Sequence, residues 1–199
     1  RAELARRARL REVLACVEGA RIDTLVLKGA ALAEWAYPVP YLREFSDVDL
    51  LFASRDDALR ASEALRMLGY AMSYVPGRFM HELSCRNADG VVDLDLHWAL
   101  SDMPALTALP GFDDFRARSI PGPEDALLHA CIHRASNLQA GLGDRLKWLY
   151  DIHLLARALD APAWASVVRR GREARVCGIL LDGLEAMRAL FSPPPRDVL

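Results

Sequence analysis

No stretch of this chain approaches the roughly 20 consecutive apolar residues that span a bilayer, and no signal-peptide pattern opens it. A membrane partner is therefore not expected. Cysteine is scarce: Cys16, Cys85, Cys131 and Cys177 are far apart, and none forms a Cys-x-x-Cys pair. That argues against a disulfide framework or a cysteine-rich zinc site. Three of the four fall in helical patterns among apolar neighbours, where free thiols are commonly buried. The expected setting is reducing and cytoplasmic. Neither sign of charge dominates: the formal net charge is -2, which gives no global nucleic-acid or membrane-surface signature. The basic cluster Arg6-Arg7-Arg9-Arg11 reads as a solvated helix face. What remains is an ordinary globular composition, 52% hydrophobic and 26% charged over 199 residues, enough for one large domain or two small ones.

Apolar positions at helical spacing run from Leu4 to Val17, with Gly19 as a stop. Thr24–Leu27 reads as a short buried strand leading into Lys28-Gly29-Ala30, with a helix over Ala30–Trp35 that ends before Pro38. Asp47–Phe52 is a second strand. Ser54 caps a helix over 56–68, and Gly69 is suited to the left-handed position after it. Tyr70–Val75 and Phe79–Arg86 read as strands on either side of Pro76-Gly77. Asn87-Ala88-Asp89-Gly90 is a turn into Val91–Trp98, which makes 79–98 a β-hairpin. Later helices are expected over 124–137, 144–159, 163–171 and 173–191, the last stopped by Pro193-Pro194-Pro195. The expected class is α+β: a small mixed sheet flanked by helices over 1–100, a connection over 101–123, and a helical domain over 124–199.

Two acidic strands carry the chemistry. A strand sends residues i and i+2 to one face, so Asp47 projects with Asp49, and Asp93 with Asp95 and His97. Clustered carboxylates repel unless a cation lies between them. Asp-x-Asp with one further carboxylate from a neighbouring strand fits a divalent-cation site for phosphoryl transfer, provided the strands of Asp49 and Asp95 are adjacent. On chemistry alone Asp93 and Asp95 are both open as that third group. The turn at Gly29 would offer backbone N–H groups to a phosphate at a helix N-terminus. Lys28 and Arg43 are candidate counter-charges for a triphosphate. Each piece also has a plain explanation: a wet strand end, a glycine that only turns, the solvent face of a hairpin. The combination is the more specific signal.

Taken together, Leu27-Lys28-Gly29-Ala30-Ala31-Leu32, Arg43-x-x-Ser46-Asp47-Val48-Asp49-Leu50-Leu51, Gly69-Tyr70 and Asp95-Leu96-His97-Trp98 resemble a bacterial uncharacterised nucleotidyltransferase-like family. That family belongs to the nucleotidyltransferase superfamily with the DNA polymerase β-like catalytic core. The segment Leu128–Ile152, with His133 and Arg145–Ile152, is similar to the family's second half. The resemblance implies transfer of a nucleoside monophosphate from an NTP to an acceptor hydroxyl, with release of pyrophosphate and a need for Mg2+ or Mn2+. It makes Asp47, Asp49 and Asp95 the metal ligands and catalytic residues, Asp95 also helping to deprotonate the acceptor. Lys28, Gly29, Ala30 and Arg43 would form the phosphate-binding turn. The superfamily commonly has Gly-Gly or Gly-Ser there; Ala30 supplies no hydroxyl. The rival expectation is a nucleotide-binding or interaction module that kept the fold without turnover. The acceptor is open among a small molecule, a protein and an RNA end, and the near-neutral charge disfavours a large nucleic acid.

Asp93, His97 and His133 are further candidates on the substrate side or behind the ligands. His97 is expected to orient Asp95 or touch substrate. His129 and His133, at i and i+4, have zinc-compatible spacing but no third ligand nearby, so a structural role is expected. Leu146, Leu149, Ile152 and Leu155 are the expected core stripe of their helix.

Overall fold

A computed structural model of the chain describes residues 2–74, 77, 80–101 and 122–191. These fall into two compact units, the first carrying all the strands and the second the last four helices. The expected α+β class is what the structure shows. The expected strand residues Val75 and Phe79, Pro76, the connection over 102–121 and the Pro193–Pro195 stop lie outside the described residues.

The first unit opens with α1 (Ala2–Gly19), followed by β1 (Leu25–Val26), α2 (Lys28–Trp35), β2 (Asp47–Leu51) and α3 (Arg55–Leu65). Then come β3 (Tyr70–Met72), β4 (Glu82–Asn87) and β5 (Asp93–His97). Ser54 caps α3 by accepting a hydrogen bond from the Asp57 N–H. The helix tightens into a 3-10 turn over Arg66–Leu68, and Gly69 leaves it at φ 84°, a left-handed conformation that glycine adopts at little cost. α2 begins at Lys28 rather than at Ala30, because the chain turns immediately after β1.

The sheet has five strands in the order β1-β2-β5-β4-β3. β2 and β5 are parallel at its centre; every other pair is antiparallel. Period-2 alternation divides its faces. Val48 and Leu50, Leu94 and Leu96, and Leu83 and Cys85 join Leu10, Val13 and Val17 of α1 and Ala58, Ala61 and Leu65 of α3 in one core. Each of the larger of these side chains contributes about 1.5–3 kcal/mol by leaving water. The opposite face of the same strands is polar except at Leu51, which packs with Leu25 and Leu27 in a second small cluster, and α2 lies beside β2.

The second unit consists of α4 (Pro123–Gln139), α5 (Leu146–Ala158), α6 (Ala161–Glu173) and α7 (Cys177–Leu190). Pro123 starts α4 where its missing N–H costs nothing, and Asp160 caps α6 through the Ala163 N–H. α7 starts later than its periodicity suggests, because Arg175 takes φ 58° and separates it from α6. Leu127, Cys131, Ile132, Leu149, Ile152, Leu155, Val167 and Met187 are buried. Leu146 departs from the expected stripe: at the first turn of α5 it is 63% exposed, while Trp148 is buried. Cys177 departs likewise, being exposed at the start of α7. Among the described residues, no helix is long and apolar enough to cross a membrane.

Candidate active site

The polar face of the sheet is ordered by strand register. Asp47 lies opposite Asp93 and Asp49 opposite Asp95 across the parallel β2–β5 pair. Across the antiparallel β4–β5 pair, Ser84 lies opposite Asp95 and Glu82 opposite His97. Each β5 side chain meets a β4 partner: Arg86 pairs with Asp93 at 3.0 Å, the Ser84 hydroxyl donates to Asp95 Oδ1 at 2.6 Å, and His97 Nδ1 lies 3.2 Å from Glu82 Oε2.

Asp47, Asp49 and Asp95 converge, each offering a ligand atom within 4.8 Å of the others. Among the described residues this is the one such group of acidic, histidine or cysteine side chains. Asp93 stands apart from it, its carboxylate taken by Arg86. The β4 partners thus separate Asp93 from Asp95, and it is Asp95 that joins the cluster.

Side-chain donors reach Oδ1 of each of these three carboxylates. Ser46 donates to Asp47, Ser84 to Asp95, and both Lys28 and His97 to Asp49. Fit to a divalent ion is supported by the donor set, all hard oxygens, and by the Lys28 ammonium, which already sits as a cation 2.5 Å from Asp49 Oδ1.

The electrostatics differ sharply between neighbours. Burial alone would raise the carboxyl of Asp49, which is 4% exposed; the Lys28 charge and the His97 hydrogen bond outweigh it and hold the group well below the usual carboxylate range. Lys28 is raised: burial opposes its charge, but Asp49 foremost, with Glu82 and Asp95, more than compensates. Asp95 is shifted up, by burial first; the Ser84 hydrogen bond opposes this and the nearby Asp49 charge adds to it. Behind the site, burial pushes the Cys85 thiol up to about 12.

The turn leading into α2 holds the remaining candidates. The Leu27 N–H donates to the Asp49 carbonyl at 2.9 Å, tying the turn to β2. Lys28 then adopts φ 50°, a left-handed conformation unusual for a residue with a side chain. Gly29 has a packing reason: a Cβ there would lie 2.9–3.0 Å from the Arg43 guanidinium. Arg43 is itself 6% exposed and donates from Nη1 to the Glu44 carbonyl at 2.6 Å. A buried guanidinium therefore rests against the first turn of α2, next to N–H groups that the helix itself cannot pair. Ala30 is 2% exposed and belongs to the core, so its side chain points away from that turn and only its amide is offered there.

The full match to a known family agrees with this geometry: a family described as "Uncharacterised nucleotidyltransferase" matches residues 1–192. The chain belongs to this nucleotidyltransferase family. No curated relative matches it. Among solved structures, it is similar to the antibiotic-resistance factor ANT(2'')-Ia, solved in solution, with a TM-score of 0.55 and 15% identity. That likeness covers 84% of this chain and 92% of the other, and at such identity it is a likeness of fold.

The two candidate histidines have different surroundings. His97 does not orient Asp95; its Nε2 donates to Asp49 Oδ1 at 2.9 Å, and Ser84 holds Asp95 instead. His133 lies on α4 in the second unit, edge-on to Trp148 at 5.4 Å between ring centroids. Its i−4 neighbour His129 is buried in the same helix. The residues that sequence reasoning missed are Ser46 and the β4 row Glu82, Ser84 and Arg86. The signal was present in Glu82-Leu83-Ser84-Cys85-Arg86, where every second residue is polar.

Proposed function

We propose that this chain is a divalent-cation-dependent nucleotidyltransferase that moves a nucleoside monophosphate from an NTP to an acceptor hydroxyl. The convergence of Asp47, Asp49 and Asp95 within 4.8 Å, on the polar face of the central parallel strands, carries this reading. Those carboxylates would hold Mg2+ or Mn2+, which when bound supplies charge neutralisation and activation of the attacking oxygen. Lys28, Arg43 and the first amides of α2, including those of Gly29 and Ala30, hold the phosphates by charge and hydrogen bonding. The acceptor oxygen attacks the α-phosphorus in line. A new P–O bond forms, the α–β anhydride bond breaks, and pyrophosphate leaves. Asp95, the carboxyl that burial lifts, takes the acceptor proton. Positioning and charge complementarity do most of the work in such a transfer.

The acceptor class is to be found among small molecules, proteins and RNA ends, with the chain's net charge of -2 weighing against a long nucleic acid. Each labelled NTP is incubated with Mg2+, the protein and a cell extract supplying acceptors, and pyrophosphate and mass-shifted products are read. Product formed by the wild type and lost in Asp49→Ala supports the transfer. Nucleotide binding without product from any acceptor class would instead favour the module without turnover. Identical product from wild type and Asp49→Ala sinks the assignment of the site.

A further inference from the structure

The imidazole of His97 is held between two carboxylates from two different strands. Nε2 donates to Asp49 Oδ1 at 2.9 Å, and Nδ1 lies 3.2 Å from Glu82 Oε2. Register fixes this arrangement: Glu82 is opposite His97 in β4–β5, and β5 lies beside β2 with Asp49 opposite Asp95. The row Glu82, His97, Asp49 therefore crosses three neighbouring strands of the sheet. His97 is 7% exposed, and the Glu82 side chain, at 35%, is at the rim.

A carboxylate that must present one oxygen to a cation needs its other oxygen fixed. His97 does this for Asp49. An imidazole, in turn, can rotate by half a turn and exchange its nitrogens for carbons unless its second nitrogen is anchored. Glu82 supplies that anchor. Lys28 touches the same Oδ1, but its ammonium is a point charge on a flexible stem, free to move to an arriving phosphate. His97 is fixed to a strand and stays.

We propose that Glu82 and His97 form a positioning pair for Asp49, Glu82 acting on it through the imidazole, and that the pair holds Asp49 oriented toward the cation once Lys28 has turned to the nucleotide. This rests on the reading of Asp47, Asp49 and Asp95 as a cation site. Neither residue of the pair touches the reacting atoms.

The test is Mn2+ binding to the full chain, read from the loss of the free-ion electron paramagnetic resonance signal, with thermal melts reporting folding. Variants are Glu82→Ala, Glu82→Gln, His97→Ala and the Glu82→Ala/His97→Ala double. The expected result is a loss of affinity of about 10-fold or more for Glu82→Ala and for His97→Ala. Glu82→Gln, whose amide can hydrogen-bond Nδ1 as acceptor or as donor, stays close to wild type. The double variant binds no worse than His97→Ala alone. Wild-type affinity in Glu82→Ala, or losses that add in the double variant, would overturn the pair, because Glu82 would then be inert or acting on Lys28 directly. If His97→Ala does not fold, the contrast between Glu82→Ala and Glu82→Gln decides, since Glu82 lies at the rim. A wild-type chain that binds no Mn2+ overturns the cation site itself and the pair with it, a result distinct from either of the others.

Discussion

The Lys28 ammonium sits 2.5 Å from Oδ1 of Asp49, one at the first residue of α2 and the other in the middle of β2. Two backbone features bring them together: the Leu27 N–H bonded to the Asp49 carbonyl, and the left-handed conformation of Lys28 at φ 50°. That conformation costs roughly 1–2 kcal/mol for a residue with a Cβ. The buried ion pair offsets it. Strain of this kind tends to persist where a function needs the geometry.

Lys28→Met removes the ammonium and leaves the Asp49 carboxylate buried with His97 as its remaining partner. Without divalent ions the variant is expected to lose about 2 kcal/mol in chemical denaturation, less than a fully buried broken pair because the Lys28 side chain is 21% exposed. Mg2+ should stabilise the variant more than the wild type, since a cation then replaces the missing charge. Equal stabilisation of both proteins by Mg2+ would contradict a competition between ammonium and cation for the charge of the Asp49 carboxylate.

The acid limb of stability follows from the same pair. Asp49 is held below its unfolded value of about 3.9, so its contribution is present above that pH and is lost as pH falls through and below it. Asp95 has the opposite sign: raised in the fold, it favours the folded state at low pH and loses that advantage as pH rises toward its raised value. Urea unfolding below about pH 4 should show wild-type stability falling toward acid as Asp49 takes up its proton. Lys28→Met, with less depression of Asp49, should fall less steeply. A steeper acid limb in the variant would reverse the assigned sign.

Asp93 and Asp95 are separated by their β4 partners. Asp95→Asn is expected to lower Mn2+ affinity and transfer by more than about 100-fold, beyond the loss typical of a residue behind the ligands. Asp93→Asn breaks only an exposed pair with Arg86, worth at most about 1 kcal/mol of stability. Its metal affinity and turnover should stay near wild type. A loss as deep as that of Asp95→Asn would move the third ligand to Asp93.

Gly29→Ala places a Cβ within 2.9–3.0 Å of the Arg43 guanidinium, which must shift from the α2 turn. The expected outcome is a KM for NTP raised by about 10-fold, equivalent to about 1.4 kcal/mol, with kcat affected less. Ala30→Gly is the contrast: it costs about 1 kcal/mol in helix propensity and core packing and leaves KM unchanged, because the Ala30 methyl faces the core. Steady-state kinetics with varied NTP separates the two. An unchanged KM in Gly29→Ala would remove Arg43 from phosphate binding.

Much of the first unit was legible because alternation is a local property. Asp47-Val48-Asp49-Leu50 and Asp93-Leu94-Asp95-Leu96 announce one buried face and one polar face from side-chain order alone. Gly69 and Ser54 mark the two ends of a helix through equally local chemistry. The four helices of the second unit were legible as elements, but the exposure of Leu146 was not. A position in the first helical turn can satisfy the periodicity and still face water.

The sequence by itself determined that four carboxylates and a glycine turn exist on strands and at a helix start, since those follow from spacing of two and from turn chemistry. Tertiary structure decided which carboxylate completes the cluster, what Gly29 is for, and which acid His97 serves. Each of those depends on register between strands distant in sequence. β4 sets Arg86 against Asp93 and Ser84 against Asp95, β5 places His97 within reach of Asp49, and the segment before β2 delivers Arg43 to Gly29. Pairing across the sheet has no local signature in the chain, and it is pairing that turns a set of acids into a site.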